Sequence, residues 1–325
     1  MSYKNVTVGS RLGFIGLGYL GSRIAHRLVS AGFPMTVFDR DTTKAVEFAA
    51  LGCRVPRDAA ELAGDVDVLL SCLPTESAVE DVYLQAGTIL SRLKPGARVV
   101  ELSTIAPETS RRLHEAGRQF DVPVLDVSVS GSTLAAEAGR LTLFGGGDRA
   151  LFDTMEPIFT AIAHQWFYMG PAGSGVSMKL VVNTLLGLGM QAVAEAVALG
   201  ERLELPRDLL LDTLAKTAVV APAHSGKLAT AKRDDYTPQF PVRLMRKDFA
   251  LVLRAAAQFG LSMPATEAAA QVNLAEAASG REEDFSAVIR WMEEQALPSS
   301  NARTGAGKAP APAVAPAVDS RARIQ

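Results

Sequence analysis

The sequence predicts an α/β fold in which a doubly wound parallel sheet is followed by an all-helical region. Three observations carry this expectation. Over residues 11–170, short apolar runs alternate with helix-like stretches. The first run leads directly into a turn of the form GxGxxG at Gly16, Gly18 and Gly21. After Gly170 the strand-like runs stop and only helical patterns remain.

The strand-like runs fall at residues 12–17, 35–38, 66–72, 97–102, 122–125 and 141–144. Many are continuously apolar, as expected of strands covered on both faces. Helix-like stretches at 19–31, 43–50 and 107–120 separate several of them, the alternation of a parallel sheet. Residues 173–204 then read as one long helix rich in Ala, Leu, Val and Met. A further helix starts at Pro206, with others at 209–215, 249–258, 265–278 and 285–295. The expected division is a first domain at 11–172, a helical domain at 173–296 and a disordered Pro/Ala-rich tail at 297–325.

Composition narrows the function. A length of 325 residues suits about two domains, and 48% apolar with 21% charged residues suits a packed core. The net charge of -2 argues against a nucleic-acid surface. The last thirty residues hold four bases and one acid, so the basic character lies in the tail. Cys53 and Cys72 make no disulfide framework or zinc spacing, and the four histidines are scattered, so no metal is expected. The opening residues lack the apolar core of a signal peptide. The richest apolar stretch, 181–199, is broken by Asn183, Gln191 and Glu195 and makes a poor membrane span. A cytoplasmic protein with no membrane partner is the expectation.

Each glycine of the turn has a chemical reason. Gly16 permits the tight bend, Gly18 lets the backbone approach a diphosphate, and Gly21 lets helix and strand pack closely. Leu17, Tyr19 and Leu20 complete the loop, and the helix start behind it offers free N–H groups to phosphate. Asp39 ends the second apolar run, where a carboxylate accepts hydrogen bonds from the ribose hydroxyls of NAD. Arg40 follows at once and suits the 2′-phosphate of NADP. The strand-end place of Asp39 favours NAD, while Arg40 leaves NADP open. The first domain is therefore expected to be a Rossmann domain, and a turn without ligand is the alternative.

Three later segments also end apolar runs, where open α/β sheets place ligands. They contain Leu73 and Pro74, then Thr104, then Ser130, Gly131 and Ser132. The last is small enough for backbone N–H groups to converge on an anion. On the long helix, Lys179 and Asn183 stand four residues apart and share a face. Interconverting an alcohol and a carbonyl by hydride transfer requires a proton exchanger. A lysine serves if burial or nearby positive charge lowers its pKa, and an asparagine amide can hold either the ammonium or a substrate oxygen. A surface lysine beside a helix-satisfied asparagine is the plainer reading of the same pair.

The sequence resembles the β-hydroxyacid dehydrogenase family, which includes 3-hydroxyisobutyrate dehydrogenase, tartronate semialdehyde reductase and 6-phosphogluconate dehydrogenase relatives. The residues that carry the resemblance are GFIGLGYLGSRIAHRL, LPTESAVEDVY, ELSTIAPET, DVSVSGSTLAAEAGRLTLFGGG, GSGVSMKLVVN and LMRKDF, spread over residues 12–292. Ser132 stands where many members have a second Gly, Val182 where many have the first of two Asn, and Leu20 where Met is frequent. The resemblance implies hydride transfer between a nicotinamide cofactor and a small β-hydroxy acid or its semialdehyde. It implies Lys179 and Asn183 as the catalytic pair and a carboxylate pocket at Ser130, Gly131 and Ser132. It further implies that Lys247, with Asp248 at a helix start, reaches cofactor or substrate, and that the helical domain builds a homodimer or homotetramer. Two rivals stay open, an imine reductase and a dinucleotide-binding scaffold without catalysis. Lys179 speaks against both.

Overall fold

The computed structural model of the chain describes residues 3–85 and 87–296, and the expected tail at 297–325 lies outside the described residues. The strands are β1 (Leu12–Ile15), β2 (Met35–Phe38), β3 (Val68–Ser71), β4 (Arg98–Glu101), β5 (Val124–Ser130), β6 (Leu141–Gly147) and β7 (Ala163–Gly170). They form one sheet in the order β2-β1-β3-β4-β5-β6-β7. Around it lie α1 (Gly21–Ser30), α2 (Val46–Ala50), α3 (Ala59–Ala63), α4 (Glu76–Tyr83), α5 (Pro107–Gln119), α6 (Thr133–Glu137), α7 (Arg149–Asp153) and α8 (Glu156–Ile162). Helices alone follow: α9 (Ser174–Arg202), α10 (Arg207–Leu214), α11 (Pro222–Ala231), α12 (Val242–Gln258), α13 (Pro264–Ala277) and α14 (Val288–Ala296).

The pleat sends neighbouring side chains to opposite faces, and here both faces are covered. Leu70 and Val100 join one apolar layer, while their neighbours Leu69 and Val99 join the other. That double burial explains the unbroken apolar runs in the sequence. The helical part has its own core, which includes Met190, Val197, Met245, Phe249 and Ile289. A Cβ on Gly187 would sit 2.2 Å from the Phe249 ring, so glycine lets α9 and α12 cross closely.

Asp126 ties the two parts together. Its buried carboxylate accepts the N–H of Gly173 at 2.9 Å and of Val176 at 3.0 Å, two free donors at the start of α9. His114 Nε2 lies 3.1 Å from the same carboxylate.

Three expectations need correction. The sheet is not wholly parallel, because β6 runs antiparallel to β5. The connection from Ser130 to Leu141 is too short for the crossover that a parallel return demands. A seventh strand, β7, follows β6 in parallel. Its mixed polar and aromatic edge sequence hid it, since only alternate residues are covered. Third, α12 begins at Val242, directly after Pro241, and not at 249. The bases Arg243, Arg246 and Lys247 masked its apolar stripe of Val242, Met245, Phe249 and Val252. Asp248 therefore sits in the second turn, too far in to favour the helix start through the dipole. An 18-residue stretch of α9 has a mean hydropathy of 1.5. In the fold it crosses the helical core and rests its first turns on the sheet. The helix α11 has no counterpart in the sequence reading.

Candidate active site

A cleft of about 770 Å³ opens beyond the carboxyl ends of the parallel strands, between the sheet and α12. The loop after β1 forms its floor. Gly16 has φ +97°, and a Cβ there would lie 2.3 Å from the Cys72 carbonyl oxygen. A Cβ on Gly21 would lie 2.0 Å from the Gly16 carbonyl oxygen, so both residues are glycine for packing inside the protein. Gly18 differs, because a Cβ there would meet nothing within 4 Å. Packing inside the protein does not require glycine at this position, and a diphosphate laid across the turn would use the space.

Asp39 closes the loop from the side. Its Oδ2 accepts the Leu17 N–H at 2.7 Å and its Oδ1 accepts the Asp41 N–H at 2.9 Å. Lys44 Nζ stands 3.6 Å away. The carboxylate still has acceptor capacity for ribose hydroxyls. Arg40 is exposed on the same rim and makes no hydrogen bond or ion pair among the described residues.

The ends of β3 and β4 are fixed by a buried polar chain. The Ser71 hydroxyl donates to Glu101, and the Tyr83 hydroxyl lies 2.7 Å from Ser71 Oγ. Glu101 accepts the Ser103 N–H at 2.6 Å, and Ser103 Oγ accepts the Leu73 N–H at 2.7 Å. Burial pushes the Glu101 carboxyl up to about 7, against its hydrogen bonds to Ser103 and Ser71. The chain holds Leu73 and Thr104 at the cleft wall. The Thr104 carbonyl accepts Lys247 Nζ at 2.7 Å, which bridges from α12 to the sheet.

Lys179 opens into the cleft from the second turn of α9. Burial pushes its ammonium down to about 8, Lys247 pushes the same way, and Asp248 opposes them. Asp248 is buried, lies 3.0 Å from Lys247 Nζ and accepts Asn183 Nδ2 at 2.5 Å. The Asn183 carbonyl oxygen is left without a partner.

The structure thus gathers Gly16, Leu17, Gly18, Tyr19, Leu20, Gly21, Asp39, Arg40, Leu73, Pro74, Thr104, Gly131, Lys179 and Lys247 around one cleft. Ser130, Ser132 and Asn183 are not among its lining residues. Ser130 pairs with Thr142 in the sheet. Ser132 Oγ accepts the Ala135 N–H at 3.2 Å as the cap of α6. Sequence reasoning missed Gln239, Phe240, Pro241 and Leu244 on the helical wall. It also missed the Glu101 chain, although three polar residues at two strand ends were a signal.

Comparison with known proteins agrees with this geometry. Residues 11–170 match the family model described as the NAD-binding domain of 6-phosphogluconate dehydrogenase. Residues 173–292 match that of the NAD-binding region of NADP-dependent 3-hydroxyisobutyrate dehydrogenase. Glyoxylate/succinic semialdehyde reductase 1 of Arabidopsis thaliana is 33% identical over 86% of this chain and 96% of its own. The NAD-dependent L-serine dehydrogenase of Pseudomonas aeruginosa is 34% identical over 78% of this chain and 88% of its own. The structure of Mycobacterium tuberculosis 3-hydroxyisobutyrate dehydrogenase with L-serine superposes with a TM-score of 0.79 at 30% identity, covering 87% of this chain and 99% of that one. Imine reductases such as that of Streptomyces aurantiacus share the fold alone, at 18% identity and a TM-score of 0.58.

Proposed function

The chain belongs to the β-hydroxyacid dehydrogenase family, and from that premise we propose how its residues divide the work. It is an NAD(P)-dependent oxidoreductase of small hydroxy acids or their semialdehydes. Residues 11–172 act as the dinucleotide-binding domain and 173–296 as the substrate and dimerisation domain. The observation that carries the reading is one cleft holding both the glycine turn and a lysine amine poised at about 8.

The turn at Gly16, Gly18 and Gly21 receives the diphosphate, with Leu17, Tyr19 and Leu20 shaping the loop. Asp39 takes the ribose and Arg40 stands ready for a 2′-phosphate. Leu73, Pro74, Thr104 and Lys247 frame the nicotinamide end. When bound, the nicotinamide supplies or accepts the hydride. Lys179 Nζ takes the proton from the substrate hydroxyl in oxidation and returns it to the carbonyl oxygen in reduction. Asn183 and Asp248 hold one another behind Lys179, and the Asp248 charge limits the fall of its pKa. The substrate carboxylate lies at Gly131, which Ser130 and Ser132 flank. The partly apolar lining of the cleft limits the water around the exchanged proton.

Assembly is proposed through α9. Its outward face carries exposed Val181, Leu185 and Leu199 beside Ala192 and Ala196, a stripe suited to a second copy in a homodimer or homotetramer. Light scattering at micromolar concentration should give a multiple of the chain mass. Two free cysteines suit a reducing, cytoplasmic setting.

The test is a panel of 3-hydroxyisobutyrate, glycerate, threonate and sulfolactate followed by NADH absorbance, with cyclic imines alongside. Turnover of at least one hydroxy acid and of no imine is expected. NADH binding without turnover of any hydroxy acid would overturn the reading.

A further inference from the structure

Gln239, Phe240 and Pro241 line the cleft from the helical side. Behind them lies a buried ion pair that proton exchange does not use. Lys227 on α11 is 9% exposed and Asp284 is 1% exposed. Lys227 Nζ donates to Asp284 Oδ2 at 2.8 Å and to Gln239 Oε1 at 3.2 Å. Asp284 Oδ2 also accepts the N–H groups of Gln239 and Phe240, each at 3.0 Å. Its Oδ1 accepts the Ser286 hydroxyl at 2.8 Å. The Phe285 ring lies 5.5 Å from the ammonium and 5.7 Å from the Phe240 ring. A buried pair is weak as a source of stability, because desolvation opposes the attraction. Its value here is placement.

The chemistry fixes the Gln239 amide. An ammonium carries donors only, so the amide must turn its oxygen toward Lys227. The NH2 then points away from the pair, and among the described residues it has no hydrogen-bond partner. We propose that Gln239 is a specificity-determining residue whose NH2 donates to an acceptor oxygen on the substrate beyond its carboxylate and carbinol, with Lys227 and Asp284 as positioning residues. The proposal rests on the hydroxy-acid reading above. Gln239 precedes α12 and Lys179 stands on α9, so the amide and the proton exchanger face one cleft from two different elements. A three-carbon acid held by its carboxylate and carbinol offers no further acceptor. A longer hydroxy acid with a second carboxylate does, and a carboxylate is the stronger acceptor.

The test compares kcat/KM for 2-(hydroxymethyl)glutarate and 3-hydroxypropionate. Gln239→Leu should lower the long-to-short ratio about tenfold while the KM for NAD+ moves less than twofold. Gln239→Glu keeps an acceptor for Lys227 but faces the second carboxylate with like charge, so the ratio should fall further. Lys227→Met, measured on protein with wild-type circular dichroism, should lower the same ratio. Adding Gln239→Leu to it should cost nothing more, because one interaction has already been lost. An unchanged ratio in Gln239→Leu, or additive losses in the double variant, would overturn the proposal. So would a tenfold shift in the KM for NAD+ with the ratio unchanged, which assigns the amide to a cofactor phosphate. If the wild type oxidises neither acid nor any on the earlier panel, the hydroxy-acid reading falls and takes this proposal with it.

Discussion

Replacing Lys179 by Met should abolish turnover and raise thermal stability together. General acid–base exchange contributes about 10²- to 10⁴-fold to a rate, so kcat should fall by that factor, about 3 to 5 kcal/mol of barrier. The stability effect comes from the same burial. The ammonium is pushed from 10.5 to about 8 in the fold, and at 1.36 kcal/mol per unit its burial costs about 3 kcal/mol at pH 7. Between about pH 8 and 10.5 the unfolded chain binds more protons at this site than the folded one, so stability rises with pH across that window. Lys179→Met removes the penalty. Its Tm at pH 7 should exceed the wild type by several degrees, and the gap should close as pH approaches 10.5. The rate carries the matching signature. Oxidation needs the neutral amine and should climb to a plateau above about pH 8, while reduction needs the ammonium and should decline there. NADH absorbance across pH and a thermal melt series measure both. Turnover within tenfold of wild type, or a lower Tm that ignores pH, would refute the assignment.

Other outcomes follow from the same geometry. Gly18→Ala should weaken NADH binding about tenfold or more with no loss of Tm, since its Cβ meets nothing in the protein; calorimetry and a melt separate the two. Gly16→Ala should lower Tm as well, because it combines a φ of +97° with a backbone clash. Arg40→Ala should lower kcat/KM for NADPH about tenfold or more and leave NADH within threefold; equal loss with both cofactors would remove Arg40 from the 2′-phosphate. Glu101 holds its proton up to about 7 when folded against 4.5 unfolded, so its contribution makes stability fall as pH rises from 4.5 to 7. Glu101→Gln should flatten that slope in denaturant titrations, and an unaltered slope would count against the burial of this carboxyl.

Much of the platform was legible because its causes are local. Strands covered on both faces must be continuously apolar, and a glycine turn has few alternatives, so β1 through β4 and the loop at Gly16 could be read directly. The reversal at β6 depends on a connection length, and β7 depends on partners that only the assembled sheet supplies. The site divides the same way. Lys179 and Asn183 were visible as a helical pair. Yet Asn183 turns out to bind Asp248 behind the amine, a contact between residues 65 positions apart. Gln239 carries no pattern at all, because its importance comes from Lys227 and Asp284 on two other segments. Asp248 was read as a helix-start residue, since seven residues of α12 were hidden by its basic side chains.

The bond between Asp126 and the first turn of α9 has a mechanical consequence. The carboxylate belongs to β5 of the sheet, and it grips the very helix that presents the amine one turn later. The Lys179 amine and the sheet are therefore tied together when the chain folds and not when a ligand arrives. The far side of the cleft is joined through side chains instead. There Lys247 meets Thr104 and Arg254 meets Glu76 across the seam through polar contacts.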